Sequence, residues 1–182
     1  RPVYRGIDFG YIRPAVVWAY ENEQRQLCVT HEALGKDEDV ETFFRLVMDY
    51  SRKWFPQAST FIDFADPSGW NRSDMQSEKS RIEILYSLGI KPSRGELKEK
   101  ARVDTVRRLI LPRTDGKPGL LVHPRCRILI DGFVGAYIYK DPPAGMTEFP
   151  REVINKDGLY DHLQDALAYL CTGLRMVTGK EK

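Results

Sequence analysis

Short apolar stretches broken by glycine and proline dominate the first third of the chain. Val3 to Phe9 is largely apolar and closed by Gly10, and Ala15-Val16-Val17-Trp18-Ala19-Tyr20 begins just after Pro14; both predict strands. The polar Glu21-Asn22-Glu23 turn leads into a third predicted strand, Gln26 to Thr30, so the opening reads as an antiparallel meander. From Glu38 to Trp54 the residues Val40, Phe43, Phe44, Val47, Ser51 and Trp54 recur at helical spacing, and Asp37 and Asp39 suit a helix N-terminus. That helix is expected to cross over the sheet. Ser59 to Ala65 is apolar on both faces apart from Asp63, which predicts an internal strand, and Pro67-Ser68-Gly69 stops it.

Helical spacing dominates the second half. A polar loop precedes a predicted helix around Glu78 to Leu88; a short Ile90 segment separates it from another, about Glu96 to Ile110, with Leu97, Ala101, Val106, Leu109 and Ile110 as its apolar side. Arg113 to Gly119 reads as a loop or hairpin tip. Pro124 suits the start of a short helix carrying Ile128, Leu129 and Phe133, and Ala136 to Tyr139 is predicted as the last strand. Asp141-Pro142-Pro143-Ala144-Gly145 must be a loop. The final helix, about Gly158 to Val177, carries Leu159, Leu163, Ala166, Leu167, Leu170 and Leu174 on one stripe, with Asp157 placed to cap it.

At 182 residues, 42% of them apolar, the chain supports a single domain, 1–182, with its own core. No apolar run approaches the roughly 20 residues needed to span a bilayer, and no leader signal opens the chain, so a soluble intracellular protein is expected. A first residue of Arg1 rather than Met suggests a fragment of something longer. Cys28, Cys126 and Cys171 are odd in number and widely separated, which argues for a reducing compartment. His123 and Cys126 have a zinc-compatible spacing, but no second close pair completes a four-ligand site.

Charge becomes informative when divided along the chain. Lys91 to Arg127 holds eleven basic and four acidic residues, a net of +7 within a chain of net +2, so the remainder is −5. A basic stretch beside an acidic remainder suits a protein that holds a polyanion near bound cations.

The acids sit where that chemistry would need them. Asp8 ends the first strand, with Gly10 removing bulk beside it, and Asp66 ends the fourth. Asp161 and Asp165 are one turn apart on the last helix and share a face, with His162 nearby. Like charges four apart destabilise a helix by a few tenths of a kcal/mol unless a cation or solvent relieves them. Asp161 lies in the first turn, where the helix dipole explains it; Asp165 is deeper. Brought together, the three sets supply oxygen ligands for two Mg2+ or Mn2+ ions roughly 4 Å apart, suited to in-line attack of water on a phosphodiester. One ion would activate the water and the other would stabilise the leaving oxygen.

In their order along the chain, Gly6-Ile7-Asp8-Phe9-Gly10 with Pro14-Ala15-Val16-Val17, Phe64-Ala65-Asp66-Pro67-Ser68, the Lys98-to-Leu109 segment, and Tyr160-Asp161-His162-Leu163-Gln164-Asp165-Ala166-Leu167-Ala168-Tyr169 resemble the ribonuclease H-like nucleases. Within that superfamily the chain looks most like the C-terminal nuclease domain of the bacteriophage large terminase subunit. The resemblance implies an α/β fold with a mixed central sheet flanked by helices. It also implies a metal-dependent endonuclease that cuts double-stranded viral DNA during genome packaging, in the cytoplasm of the infected bacterial host. By resemblance Asp8 and Asp66 fall on the first two metal-binding acids; Asp165 is favoured as the third, with Asp161 as a further metal ligand or its replacement. The implied partners are double-stranded DNA and, in the full-length protein, an ATPase domain, the small terminase subunit and the portal.

No Gly-x-x-x-x-Gly-Lys-Ser/Thr occurs, so the ATPase is expected to lie outside this chain. A resolvase-like junction nuclease of the same fold is the nearest alternative, and a non-catalytic DNA-binding module is another. An actin-like kinase or ATPase also opens on Ile-Asp-x-Gly, but Tyr11 and Ile12 do not supply the hydroxyl such a phosphate loop needs.

Overall fold

Strand β2 (Ala15–Glu21) explains the layering, because Ala15 to Ala19 are all fully buried and neighbouring side chains point to opposite faces. Ala15, Val17 and Ala19 join one core, while Val16 and Trp18 join another on the far side of the sheet. A strand with two apolar faces is stable only between two layers of helices. In the computed structural model, which describes residues 1–10, 12–71, 79–140 and 154–178 with side chains through Arg175, that is its position.

The sheet has six strands in the order β5-β4-β1-β2-β3-β6. β1 (Val3–Asp8), β2 and β3 (Leu27–Leu34) form the antiparallel meander; β4 (Phe61–Ala65) pairs parallel with β1, and β5 (Ser93–Arg94) parallel with β4. Helix α1 (Val40–Trp54) makes the crossover, with Asp39 accepting from the Thr42 amide as its cap. Together with α2 (Arg81–Ser87), which opens on a Ser80/Glu83 capping box, it covers one face. Helices α3 (Glu99–Ile110), α4 (Arg127–Asp131) and α5 (Tyr160–Thr178) cover the other.

Several elements differ from the sequence reading, β5 among them. β3 runs on to Leu34, past the expected Thr30, and Glu32 at its far end accepts from the Ile128 and Leu129 amides to cap α4. β6 (Leu120–Val122) is a strand that the sequence reading does not assign; its three residues add a parallel edge to β3, a pairing set by residues about ninety positions away. Ala136 to Tyr139 is not a strand. Gly132–Ala136 forms a wide helical turn with Gly135 at φ 144°, Gln164 of α5 donates to the Leu129 carbonyl of α4 just before it, and Tyr139 forms an isolated bridge with Ile154. Most of the expected loop after Gly69, the Glu78 start of the second helix and the Asp141-to-Gly145 loop lie outside the described residues.

On the α1 side a buried ion pair locks β1 to β4. Arg5 Nε lies 2.5 Å from Asp63 Oδ1, and Ser51 Oγ of α1 accepts from both Arg5 and Trp18. This accounts for Asp63, the one polar residue facing inward from an apolar strand.

Candidate metal centre

Parallel pairing of β1 and β4 brings their C-terminal ends to the same edge of the sheet. Ile7 is in register with Ala65, and the Asp66 amide donates to the Ile7 carbonyl at 2.9 Å, so Asp8 and Asp66 leave adjacent strands side by side. Such strand ends are where α/β sheets present ligand sites. Asp66 then turns the chain: its carboxylate accepts from the Ser68 amide and hydroxyl to cap the short Pro67–Trp70 turn.

Helix α5 faces these two acids, and glycine at Gly6 lets it approach. A Cβ there would lie 2.0 Å from the Ala166 carbonyl oxygen and 2.8 Å from Leu170 Cβ. With the helix seated so closely, His162 Nδ1 comes to 2.8 Å from Asp8 Oδ2. Gly10, at φ +38°, has a matching role, since a Cβ on it would strike the Arg13 carbonyl and crowd the His162 ring.

Asp8, Asp66, Asp161, His162 and Asp165 line one open cleft, joined by Glu99, Arg81, Arg102, Lys156 and Tyr169. Among the described residues five carboxylates face three fixed positive charges, so these side chains are net negative even with His162 protonated. The imbalance registers at Asp8, which is 5% exposed: burial pushes its pKa up to about 6 and the nearby Asp165 and Asp66 charges add to that, while the His162 hydrogen bond works against them. His162 is raised in turn, chiefly by its bond to Asp8.

The two helix acids have different surroundings. Asp161 accepts from the Gly158 amide at 2.8 Å, and Asp157 caps the helix through the Leu159 and Tyr160 amides. Asp165 lies 3.4 Å from Arg102 Nη2 and pairs with Lys156. Arg102 is itself fixed, donating to the Glu96 and Leu97 carbonyls and stacking 4.7 Å over the Tyr169 ring. Lys156 keeps a raised pKa although burial opposes its charge, because Asp165, Glu99 and Asp161 surround it.

An all-oxygen carboxylate set with one imidazole fits a hard divalent cation. The burial of Asp8, offset only in part by the His162 hydrogen bond, fits the same ion, whose charge would offset the rest. Among the described residues, however, no three acid or imidazole groups stand close enough to grip one ion. Asp165 is instead held by its two basic neighbours.

The basic residues between Lys91 and Arg127 have different surroundings. Arg102 lines the cleft, whereas Arg113 ties its loop to the Gln24 and Arg25 carbonyls, and Arg125 contacts His31. Cys126 is buried in the core beside α4. Sequence reasoning missed Glu99, Lys156, Arg81 and Tyr169. Glu99 and Lys156 carried no local signal, since their position depends on how α3 and the stretch before α5 meet.

No family model matches the sequence, and no curated protein matches it. Solved structures do resemble its fold. The nuclease domain of the g2p large terminase from bacteriophage SPP1, solved with bound Mn, superposes with a TM-score of 0.61 at 18% identity over 93% of this chain and 85% of that one. The bacteriophage P22 large terminase nuclease domain gives 0.67 at 14% identity, covering 99% of this chain and 86% of that one. The yeast mitochondrial Holliday junction resolvase Ydc2 gives 0.50 at 14% identity, covering 96% and 80%. At such identities the likeness establishes architecture: the chain has the ribonuclease H-like fold, a mixed six-stranded sheet flanked by helices.

Proposed function

We propose that this domain is a divalent-metal-dependent endonuclease that hydrolyses phosphodiesters of double-stranded DNA, and that it serves as the nuclease part of a viral genome-packaging terminase. The observation that carries the reading is the convergence of Asp8 and Asp66, from adjacent parallel strand ends, with Asp161, His162 and Asp165 of α5 in one negatively charged cleft. The likeness to two terminase nuclease domains, one of them holding Mn, supports it.

Asp8, Asp66 and Asp165 would hold the metal, with Asp161 as a further carboxylate on the same helix. Bound Mg2+ or Mn2+ would supply charge neutralisation and Lewis acidity at the phosphoryl group. His162 orients the Asp8 carboxylate and, with its pKa raised chiefly by that bond, stays protonated to higher pH than a free imidazole. Arg81 at the cleft wall gives a phosphate backbone something to pair with. An ATPase domain, a small terminase subunit and a portal would be partners of the complete protein.

Cleavage of linear duplex and of a four-way junction, each with Mg2+, Mn2+ or EDTA, tests the proposal. Metal-dependent cutting of linear duplex, abolished by Asp8→Asn, Asp66→Asn and Asp165→Asn, is expected. Cutting confined to the junction would select the resolvase-like alternative. DNA binding without Mn2+ uptake or cleavage would make the domain a binding module.

A further inference from the structure

Two positive side chains share Asp165, and they are held very differently. Arg102 is 8% exposed in its side chain and clamped by two backbone carbonyls and the Tyr169 ring. It cannot leave Asp165 without stranding a buried guanidinium. Lys156 has a side chain 40% exposed, and its ion-pair partners among the described residues are the carboxylates of Asp165 and, at 3.7 Å, Glu99. Its backbone is anchored nearby: Ile154 is buried and bridges Tyr139, and the Asn155 amide donates to the Ile138 carbonyl at 2.8 Å. A fixed backbone carrying a flexible, half-exposed ammonium can hold the carboxylate or turn to solvent at little cost.

We propose that Lys156 is a built-in monovalent counter-ion for Asp165, which a divalent ion must displace before the helix side of the cleft can bind metal. The inference deepens the nuclease reading and rests on it for Asp165 being a ligand. Competition is for one oxygen: Arg102 faces Oδ1 of Asp165 and Lys156 sits on Oδ2, so a divalent ion that takes Oδ2 must occupy the place of the ammonium, and the two cations repel there. It also accounts for Asp165 being turned to Lys156 and Arg102 while no three ligands close on a common point among the described residues. Lys156 thus sets the threshold of metal concentration at which the site completes.

The test is calorimetric Mn2+ titration of wild type, Lys156→Met, Lys156→Arg and Asp8→Asn, with thermal melts in EDTA to confirm folding. Lys156→Met removes the competitor at similar length and is expected to tighten Mn2+ binding by up to about fivefold, the scale of one half-exposed ion pair. Lys156→Arg offers a bidentate partner that is harder to displace and is expected to weaken it. A merely structural role for Lys156 would not drive the two substitutions in opposite directions. Unchanged or weaker binding by Lys156→Met, or unchanged or tighter binding by Lys156→Arg, overturns the inference. If Lys156→Met does not fold, the Lys156→Arg result decides alone. If wild type binds Mn2+ and Asp8→Asn does not, a failure of the Lys156 variants leaves the nuclease reading standing; if wild type takes up no Mn2+, both fall.

Discussion

Removing a charge that the site needs is expected to stabilise the metal-free protein. Asp8 is held with a pKa of about 6 against 3.8 for an unburied aspartate, chiefly by burial. A carboxyl raised in this way favours folding below the unfolded value, and that advantage is lost as pH rises through the folded value. At about 1.4 kcal/mol per pKa unit, the ionised group costs about 3 kcal/mol near pH 8 and roughly half of that near pH 5. Water reaching the open cleft makes these upper figures. His162 acts with the same sign: its pKa is raised by Asp8, so the pair favours wild type at acid pH and loses that benefit as the imidazole deprotonates. Urea unfolding of wild type and Asp8→Asn in EDTA at both pH values measures the effect. The stability of the variant relative to wild type is expected to increase by about 1.5 kcal/mol from pH 5 to pH 8. A difference that stays flat or shrinks would refute the claim that burial raises the Asp8 pKa.

Three further outcomes are expected. Gly6→Ala places a methyl against the Ala166 carbonyl and Leu170, so urea unfolding should show a loss of about 1–3 kcal/mol, and DNA cleavage should fall because α5 carries Asp165 away from Asp8. Asp63→Ala leaves the Arg5 guanidinium buried and unpaired, with an expected loss of about 3–5 kcal/mol, whereas replacing both partners with leucine should cost less. Added Mn2+ should raise the melting temperature of wild type by mass action but not that of Asp8→Asn, which differential scanning fluorimetry can follow.

Local pattern determined much of this protein. Alternation and length marked β1, β2 and β4, the apolar stripe marked α1 and α5, and a carboxylate closing an apolar strand marked Asp8, because burial of an unpaired charge is costly wherever the chain goes. β6 escaped because its three residues are strand only by virtue of β3 beside them, and the expected strand at 136–139 failed because the helical turn runs on through Ala136, with Gly135 at φ 144°. The same limit separates candidate ligands from a site. Tertiary structure alone decided that β1 and β4 run parallel, which puts Asp8 and Asp66 on one edge, and that Gly6 admits α5 closely enough for His162 to reach Asp8. It also delivered Lys156 and Arg102 to Asp165, which no neighbouring residue announced. The physical reason is one of range: a side chain's preference for strand, helix or cap is settled within a few residues, whereas the field at a carboxylate is the sum over whatever charges folding brings near it.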